Sequence, residues 1–335
     1  MFILDSYLAS VFFCVITMLC WGSWANTQKL ASKEWRFELF YWDYVLGVLL
    51  LSVASAFTLG SHGDVGRGFI ADVDQALSSS VLSAIFGGVV FNLANILLVA
   101  AIALAGMAVA FPVGIGIALV LGVIVNYMAA PSGNALFLFA GVALVTVAIL
   151  LDARAYQKLS QHHSSTPPVK GIVLSIVSGI LMGLFYLFVA AGMTLDFANP
   201  EPGKLGPYSA VVFFSIGVLL SSFFLVPLMM KNPVSGPPVK MADYFKGNAR
   251  SHLTGILGGV IWCIGMSLNL IASGRAGFAI SYGLGQGATM IAAIWGIFFW
   301  KEFKSAPAGT NRLLTAMMAS YLFGLVCIIL AHWYE

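Results

Sequence analysis

Ten stretches of about 20 largely apolar residues follow one another along the chain, at 7–28, 37–59, 80–104, 107–128, 134–154, 170–195, 207–230, 252–274, 277–300 and 313–333. That is the length an α-helix needs to cross the ~30 Å hydrocarbon layer of a bilayer. Polar positions collect between them. A Gly- and Asp-containing loop fills 60–79, and a basic loop rich in Pro and Gly fills 231–251. A polar segment with His162, His163, Pro167 and Pro168 separates the fifth stretch from the sixth. The pattern predicts an all-α polytopic membrane protein with about ten transmembrane helices.

The third–fourth and eighth–ninth joins are nearly unbroken apolar sequence, and both belong to an internal repeat. Gly87–Gly116 aligns without a gap on Gly258–Gly287, with about a third of the positions identical. Gly47-Val-Leu-Leu-Leu-Ser likewise echoes Gly217-Val-Leu-Leu-Ser-Ser. Helices two, three and four thus echo seven, eight and nine, which gives five helices to each half. An odd number makes the second half enter the membrane from the opposite side. The halves are read as inverted repeats, a common transporter build with binding at the repeat interface. The expected units are residues 1–155, a linker at 156–169, and residues 170–335.

Composition agrees: 60% of residues are hydrophobic and 9% charged, against roughly 25% charged in a soluble chain. The net charge of +3 matters less than its placement. Thirteen of the Lys and Arg residues flank the odd-numbered side of the bundle, and only Arg67, Lys204 and Arg275 the even-numbered side. The positive-inside rule then places the central linker in the cytoplasm and both termini outside, in the cytoplasmic membrane. No Lys or Arg precedes Lys29, so the N-terminus is not a signal-peptide n-region and the first helix is expected in the mature protein. Cys14, Cys20, Cys263 and Cys327 lie in apolar runs without metal-ligand spacing and read as small buried hydrophobes. His162-His163 reads as solvated linker. No metal, cofactor or nucleic-acid partner is expected, and no hydrolase, zincin or P-loop motif occurs. That composition leaves lipid and a small solute as partners, for a monomer or homodimer.

Candidate chemistry rests on polar residues inside apolar helices, whose burial is costly and marks a partner or a pathway. Trp21, Trp24 and Gln28 share one face of helix one, as ligand walls or as an interfacial aromatic belt. Asp43 sits about a turn and a half into helix two. It is a candidate for proton coupling, with a structural hydrogen-bonding role as the alternative. Glu38 is a second carboxylate near the interface, able to pair with Arg36. Asn92 and Asn95 in helix three bind solute or join helices. Trp262, Met266 and Asn269 line up at helical spacing in helix eight, as Tyr282, Gln286 and Thr289 do in helix nine. Gly106, Gly114, Gly116, Gly277, Gly285 and Gly287 are expected hinge or packing positions. Pro112 is expected to bend helix four, while the second copy of the repeat grips the solute through Tyr282 and Gln286.

The segments Gly87-Gly-Val-Val-Phe-Asn-Leu-Ala-Asn95, Ala105-Gly-Met-Ala-Val-Ala-Phe-Pro-Val-Gly-Ile-Gly116, Trp42-Asp43-Tyr44 and Tyr282-Gly-Leu-Gly-Gln286 resemble the ureide permease family. That family is grouped with rhamnose-proton symporters and glucose/ribose porters in the drug/metabolite transporter superfamily. The resemblance covers nearly the whole chain. It implies a ten-helix, inverted five-plus-five fold and proton-driven uptake of a small neutral polar solute: a ureide, a nucleobase or a sugar. The chain departs from plant members in its short central linker, and in Trp21-Gly-Ser-Trp24 where a Gly-Thr-Trp-Pro pattern is expected. An exporter on the same fold, a membrane enzyme and a non-transporting receptor or scaffold are the alternatives.

Overall fold

The computed structural model describes residues 1–31, 35–160, 169–233 and 236–334, and these are helical with irregular connections. His162, His163, Pro167, Pro168 and most of the linker lie outside the described residues. The helices are α1 Tyr7–Ser23, α2 Asn26–Leu30, α3 Phe37–Phe57, α4 Phe69–Gln75, α5 Ser78–Ala105, α6 Met107–Ala129 and α7 Ala135–Ser160. They continue as α8 Val169–Ala191, α9 Pro207–Lys231, α10 Met241–Tyr244, α11 Ala249–Ala276, α12 Phe278–Gly285, α13 Ala288–Ile294 and α14 Thr310–Leu330.

Among the described residues nine spans are long and apolar enough to cross a membrane, and α1 is a shorter apolar helix. Its 17 residues rise only about 26 Å. Past the turn at Trp24 and Ala25, α2 continues the stretch expected as helix one. The chain is an integral, polytopic membrane protein. Two short helices, α4 and α10, form in segments expected as loops.

Contacts recur with the halves exchanged. Helix α1 packs on α11, α12 and α13, while α8 packs on α5 and α6. Helix α3 packs on α11, and α9 on α5; α3 meets α9, and α7 meets α14. Individual bonds follow the same exchange. Thr17 Oγ1 donates to the Gly265 carbonyl at 3.0 Å, and Ser178 Oγ to the Ala94 carbonyl, the equivalent repeat position, at 2.8 Å. The two tight joins have one geometry, φ 79° and ψ 156° at Gly106 and φ 79° and ψ 157° at Gly277, where a Cβ would be strained. They have different surroundings: Gly277 abuts Ser132 in the loop after α6, whereas Ala105 abuts Gly171 at the start of α8.

The two copies of the repeat differ in where the helix is interrupted. Helix α6 runs through Pro112 unbroken, because one missing N–H leaves the rest of the ladder intact. The second copy breaks between Gly285 and Ala288. There Gly283, Gly285 and Gly287 fall within five residues. The Gln286 carbonyl is taken three residues on, by the Thr289 N–H at 3.2 Å and the Thr289 hydroxyl at 2.9 Å, which tightens the turn. Helix α13 then passes into a π-helical turn, Trp295–Phe299. Gly116, expected at a close approach, faces open space, while at Gly114 a Cβ would meet the Leu98 side chain at 2.9 Å.

The end of the bundle that carries loops 60–77 and 192–206 is tied shut. Arg67 pairs with buried Asp72 at 3.0 Å and donates to the carbonyls of Pro200, Glu201 and Lys204 at 3.2, 3.0 and 2.7 Å. The N-terminal ammonium donates to the Val65 carbonyl at 2.8 Å, and Arg275 Nε to the Leu4 carbonyl at 3.1 Å. Arg67→Ala leaves the Asp72 carboxylate without its cation and is expected to cost about 2–4 kcal/mol. A melting temperature unchanged from wild type contradicts that role.

Candidate functional site

Two groups of candidate residues meet where the halves cross. In the first, Trp21 of α1 lies nearly parallel to Trp262 of α11, centroids 5.9 Å apart at 16°. Its Nε1 donates to the Trp262 carbonyl at 3.2 Å. Trp262 also stacks on Phe214 at 5.7 Å and lies 4.5 Å from Phe91, its own counterpart in the first repeat copy. Gly285 leaves room for this group: a Cβ there would stand 2.8 Å from the Trp21 ring and 3.0 Å from Asn269 Nδ2. Asn269 Nδ2 donates to the Ser281 carbonyl at 2.8 Å. Its buried Oδ1 has no hydrogen-bond partner among the described residues. Gln286, the next residue after Gly285, is buried at the break between α12 and α13.

In the second group, Trp24 packs on Tyr44 at 4.7 Å, and Tyr44 stacks on Tyr41 at 5.2 Å. The Tyr41 hydroxyl accepts from Asn95 Nδ2 at 3.0 Å and donates to Asn92 Oδ1 at 2.7 Å. Asn92 Nδ2 continues to the hydroxyls of Ser221 and Ser222 at 2.8 and 3.0 Å and to the Val218 carbonyl at 3.2 Å. The Asn92 amide is thus spent on joining α3, α5 and α9, at about 0.6 kcal/mol per interhelical bond. Asn95 shows one donated bond.

The expected stripe of Tyr282, Gln286 and Thr289 is split by the break. The Tyr282 hydroxyl reaches the carbonyls of Ala118 and Met182 at 3.1 Å each, tying α12 to α6 and α8. Thr289 turns back onto the Gln286 carbonyl in the break, and Gly287 abuts the Met18 side chain. Tyr282 and Thr289 therefore stand apart from the Trp21–Trp262 pair.

Asp43 is 1% exposed, six residues into α3. The Tyr244 hydroxyl donates to its Oδ1 at 2.5 Å, and His252 Nδ1 lies 3.0 and 3.1 Å from its two oxygens. Trp35 covers the imidazole edge-on, centroids 4.9 Å apart. Gly255, one turn beyond His252, lets α11 come close enough that a Cβ would collide with that of Asp43. Burial, and the carboxylate beside it, push the Tyr244 phenol above its ordinary value, so it stays a neutral donor. Glu38 takes another role: its carboxylate accepts from the Arg36 fork at 2.9 and 3.2 Å.

His252 and Tyr244 are functional candidates that sequence reasoning missed. The available signal was topological, since His252 opens the eighth helix on the same side on which the second begins. Asp152 of α7 was also missed. Its Oδ1 is buried without a partner among the described residues. It stands in the field of Glu302, which accepts from the Tyr156 hydroxyl at 2.7 Å and lies 3.8 Å from Lys29. Among the described residues no His, Cys, Asp or Glu group is arranged to hold a metal ion.

Comparison with known proteins gives the family. The ureide permease family model matches residues 40–167 and 156–332. Ureide permease 4 of Arabidopsis thaliana is 22% identical, over 99% of this chain and 98% of its own length. Ureide permease 3 of the same plant is 25% identical over 83% and 89%. Transmembrane protein 144 homolog B of Dictyostelium discoideum is 23% identical over 49% of this chain. A solved crystal structure shares the fold with a TM-score of 0.59, at 15% identity, over 97% of this chain and 99% of that one. Matched across almost its whole length and against nearly complete relatives, the chain belongs to the ureide permease family.

Proposed function

We propose that this permease, a transporter and not an enzyme, takes a small neutral polar solute into the cytoplasm together with protons. Two five-helix repeats, residues 1–155 and 170–335, rock about the central crossing in alternating access. The membrane is the cytoplasmic one, with the termini outside and the linker inside, as the Lys and Arg distribution suggests. One chain, alone or in a homodimer, is the unit.

The observation that carries the substrate class is the orphaned Asn269 Oδ1 beside the Trp21 and Trp262 rings. A buried amide oxygen without a donor costs stability, and a solute N–H relieves it. Flat aromatic faces next to Asn269, with buried Gln286 following Gly285 in the chain, suit a planar solute rich in N–H and C=O groups. That is the chemistry of ureides and nucleobases, and it agrees with the names of the Arabidopsis relatives. Sugars are the second class, since their apolar faces also stack on Trp.

Thermal melting of the purified chain with allantoin, uracil, a nucleoside, glucose and rhamnose tests this. Specific binding at 100 times Kd stabilises by about 2.7 kcal/mol. We expect a ureide or nucleobase to raise the melting temperature. Asn269→Leu should remove the increment, and Trp262→Ala should weaken binding about tenfold, the equivalent of about 1.4 kcal/mol. A shift confined to sugars, or one that survives Asn269→Leu, contradicts the assignment.

A further inference from the structure

A groove of about 680 Å³ opens between α3 and α9 on the flank of the bundle, away from the Trp21–Trp262 pair. Its walls are apolar and include Leu46, Leu219, Phe223 and Pro227. Leu46 and Phe223 are exposed on the bundle surface, which in a membrane protein is the lipid side. Trp42 lines the groove against Phe223, centroids 5.7 Å apart. Its Nε1 is buried without a hydrogen-bond partner among the described residues. The loop after α9 folds over one end of the groove. The Val239 N–H donates to the Met230 carbonyl at 3.0 Å, and Arg36 Nη1 to the Pro237 carbonyl at 3.0 Å.

Charge sets the polarity of that end. Lys231, the last residue of α9, and Lys240, just before α10, both line the groove. Neither has a carboxylate within ion-pair distance among the described residues, and nearby Asp243 is engaged by Lys246 at 2.7 Å. Apolar walls with two cations at the membrane–water end complement an amphiphile with an anionic head.

We infer that the groove holds an acyl chain of an anionic phospholipid, with the phosphate between Lys231 and Lys240. Tyr244 lines the same groove and donates to Asp43. A seated lipid therefore braces the loop that supplies one of the two partners of the buried carboxylate.

Native mass spectrometry of the full-length purified chain reads this directly. The protein is equilibrated in detergent with equal amounts of phosphatidylglycerol and phosphatidylcholine of matched acyl chains. Phosphatidylglycerol should be retained about tenfold over phosphatidylcholine. Lys231→Gln with Lys240→Gln should erase that preference, while Lys301→Gln with Lys304→Gln, which do not line the groove, keeps it. Leu219→Trp fills the groove and should remove retention; Leu46→Trp, at an exposed wall position, repeats the test should the first variant fail to fold. Equal retention of the two lipids overturns the inference. So does a preference that survives the Lys231/Lys240 pair, or one that survives groove filling, which marks surface charge alone.

Discussion

Asp43→Asn should abolish accumulation of solute against its gradient and leave exchange of solute across the membrane in place. The substitution keeps size and shape and removes the ability to bind and release a proton. Asp43 is buried against His252 and Tyr244, and no Lys or Arg lies within ion-pair distance of it among the described residues. Its charge is therefore held by the Tyr244 hydroxyl and the His252 imidazole, without a permanent cation. A purely structural carboxylate is better served by a permanent cation, as Glu38 is by Arg36. In proteoliposomes with an inward proton gradient, the wild type should concentrate solute, and the variant should stop at an inside-to-outside ratio of about one, the value expected when proton and solute are no longer linked. The variant also trades charge-assisted bonds for neutral ones, so a modest loss of stability, about 1–2 kcal/mol, accompanies it. Uphill accumulation that survives Asp43→Asn sinks the coupling role. Failure of both accumulation and exchange in a protein that still melts cooperatively assigns Asp43 to structure.

The helix pattern and the duplicated segment were legible because lipid imposes them. Each apolar run has to be long enough to span, and a join without polar residues needs a Gly that tolerates positive φ. Gly106 and Gly277 meet that demand with nearly one backbone geometry. Asp43 was legible for the same reason, as a charge where charge is costly. Its partners were not: they lie about 200 residues further on, one of them in a loop whose fold no periodicity reports. Propensity did not locate the break. Pro112 is the strongest breaker in the repeat by residue type, yet the ladder gives way among the glycines around Gln286. Spacing alone grouped Tyr282 with Gln286 and Thr289, and the same break undoes that grouping. Asn92 and Asn95 read alike in sequence. Only the neighbouring Ser221 and Ser222 of α9, brought in by the fold, commit the amide of the first to joining helices.

Gly88→Val should be among the most damaging single substitutions in the chain, and Gly259→Val should follow it. Gly88 sits where α5 crosses α9, and an added Cβ lands on the carbonyl oxygen of Phe214. Gly259 sits where α11 crosses α3, and its Cβ lands on the carbonyl of Tyr44. On the opposite faces of the same crossings, Gly217 meets the Ile85 carbonyl and Gly47 the Ile256 carbonyl. All four contacts are with backbone, which cannot swing aside as the tip of a side chain can. The helices must separate, and overpacking of this kind costs about 1–3 kcal/mol. The two sites then differ in what separation breaks. One turn beyond Gly88 is Asn92, whose bonds to Ser221, Ser222 and Val218 span the α5–α9 gap; each adds about 0.6 kcal/mol. One turn beyond Gly259 is Cys263, which makes no such bonds among the described residues; the Asp43–His252 contact spans the same pair of helices two turns back, so Gly259→Val strains one polar contact where Gly88→Val strains three. Melting of purified variants should give the order wild type, then Gly259→Val, then Gly88→Val. Gly116→Ala is the control, because a Cβ there meets nothing within 4 Å; it should be neutral or stabilising by up to about 1 kcal/mol through helix propensity. Equal losses at Gly88 and Gly116 would show that glycine flexibility, and not close approach of the two halves, sets the cost.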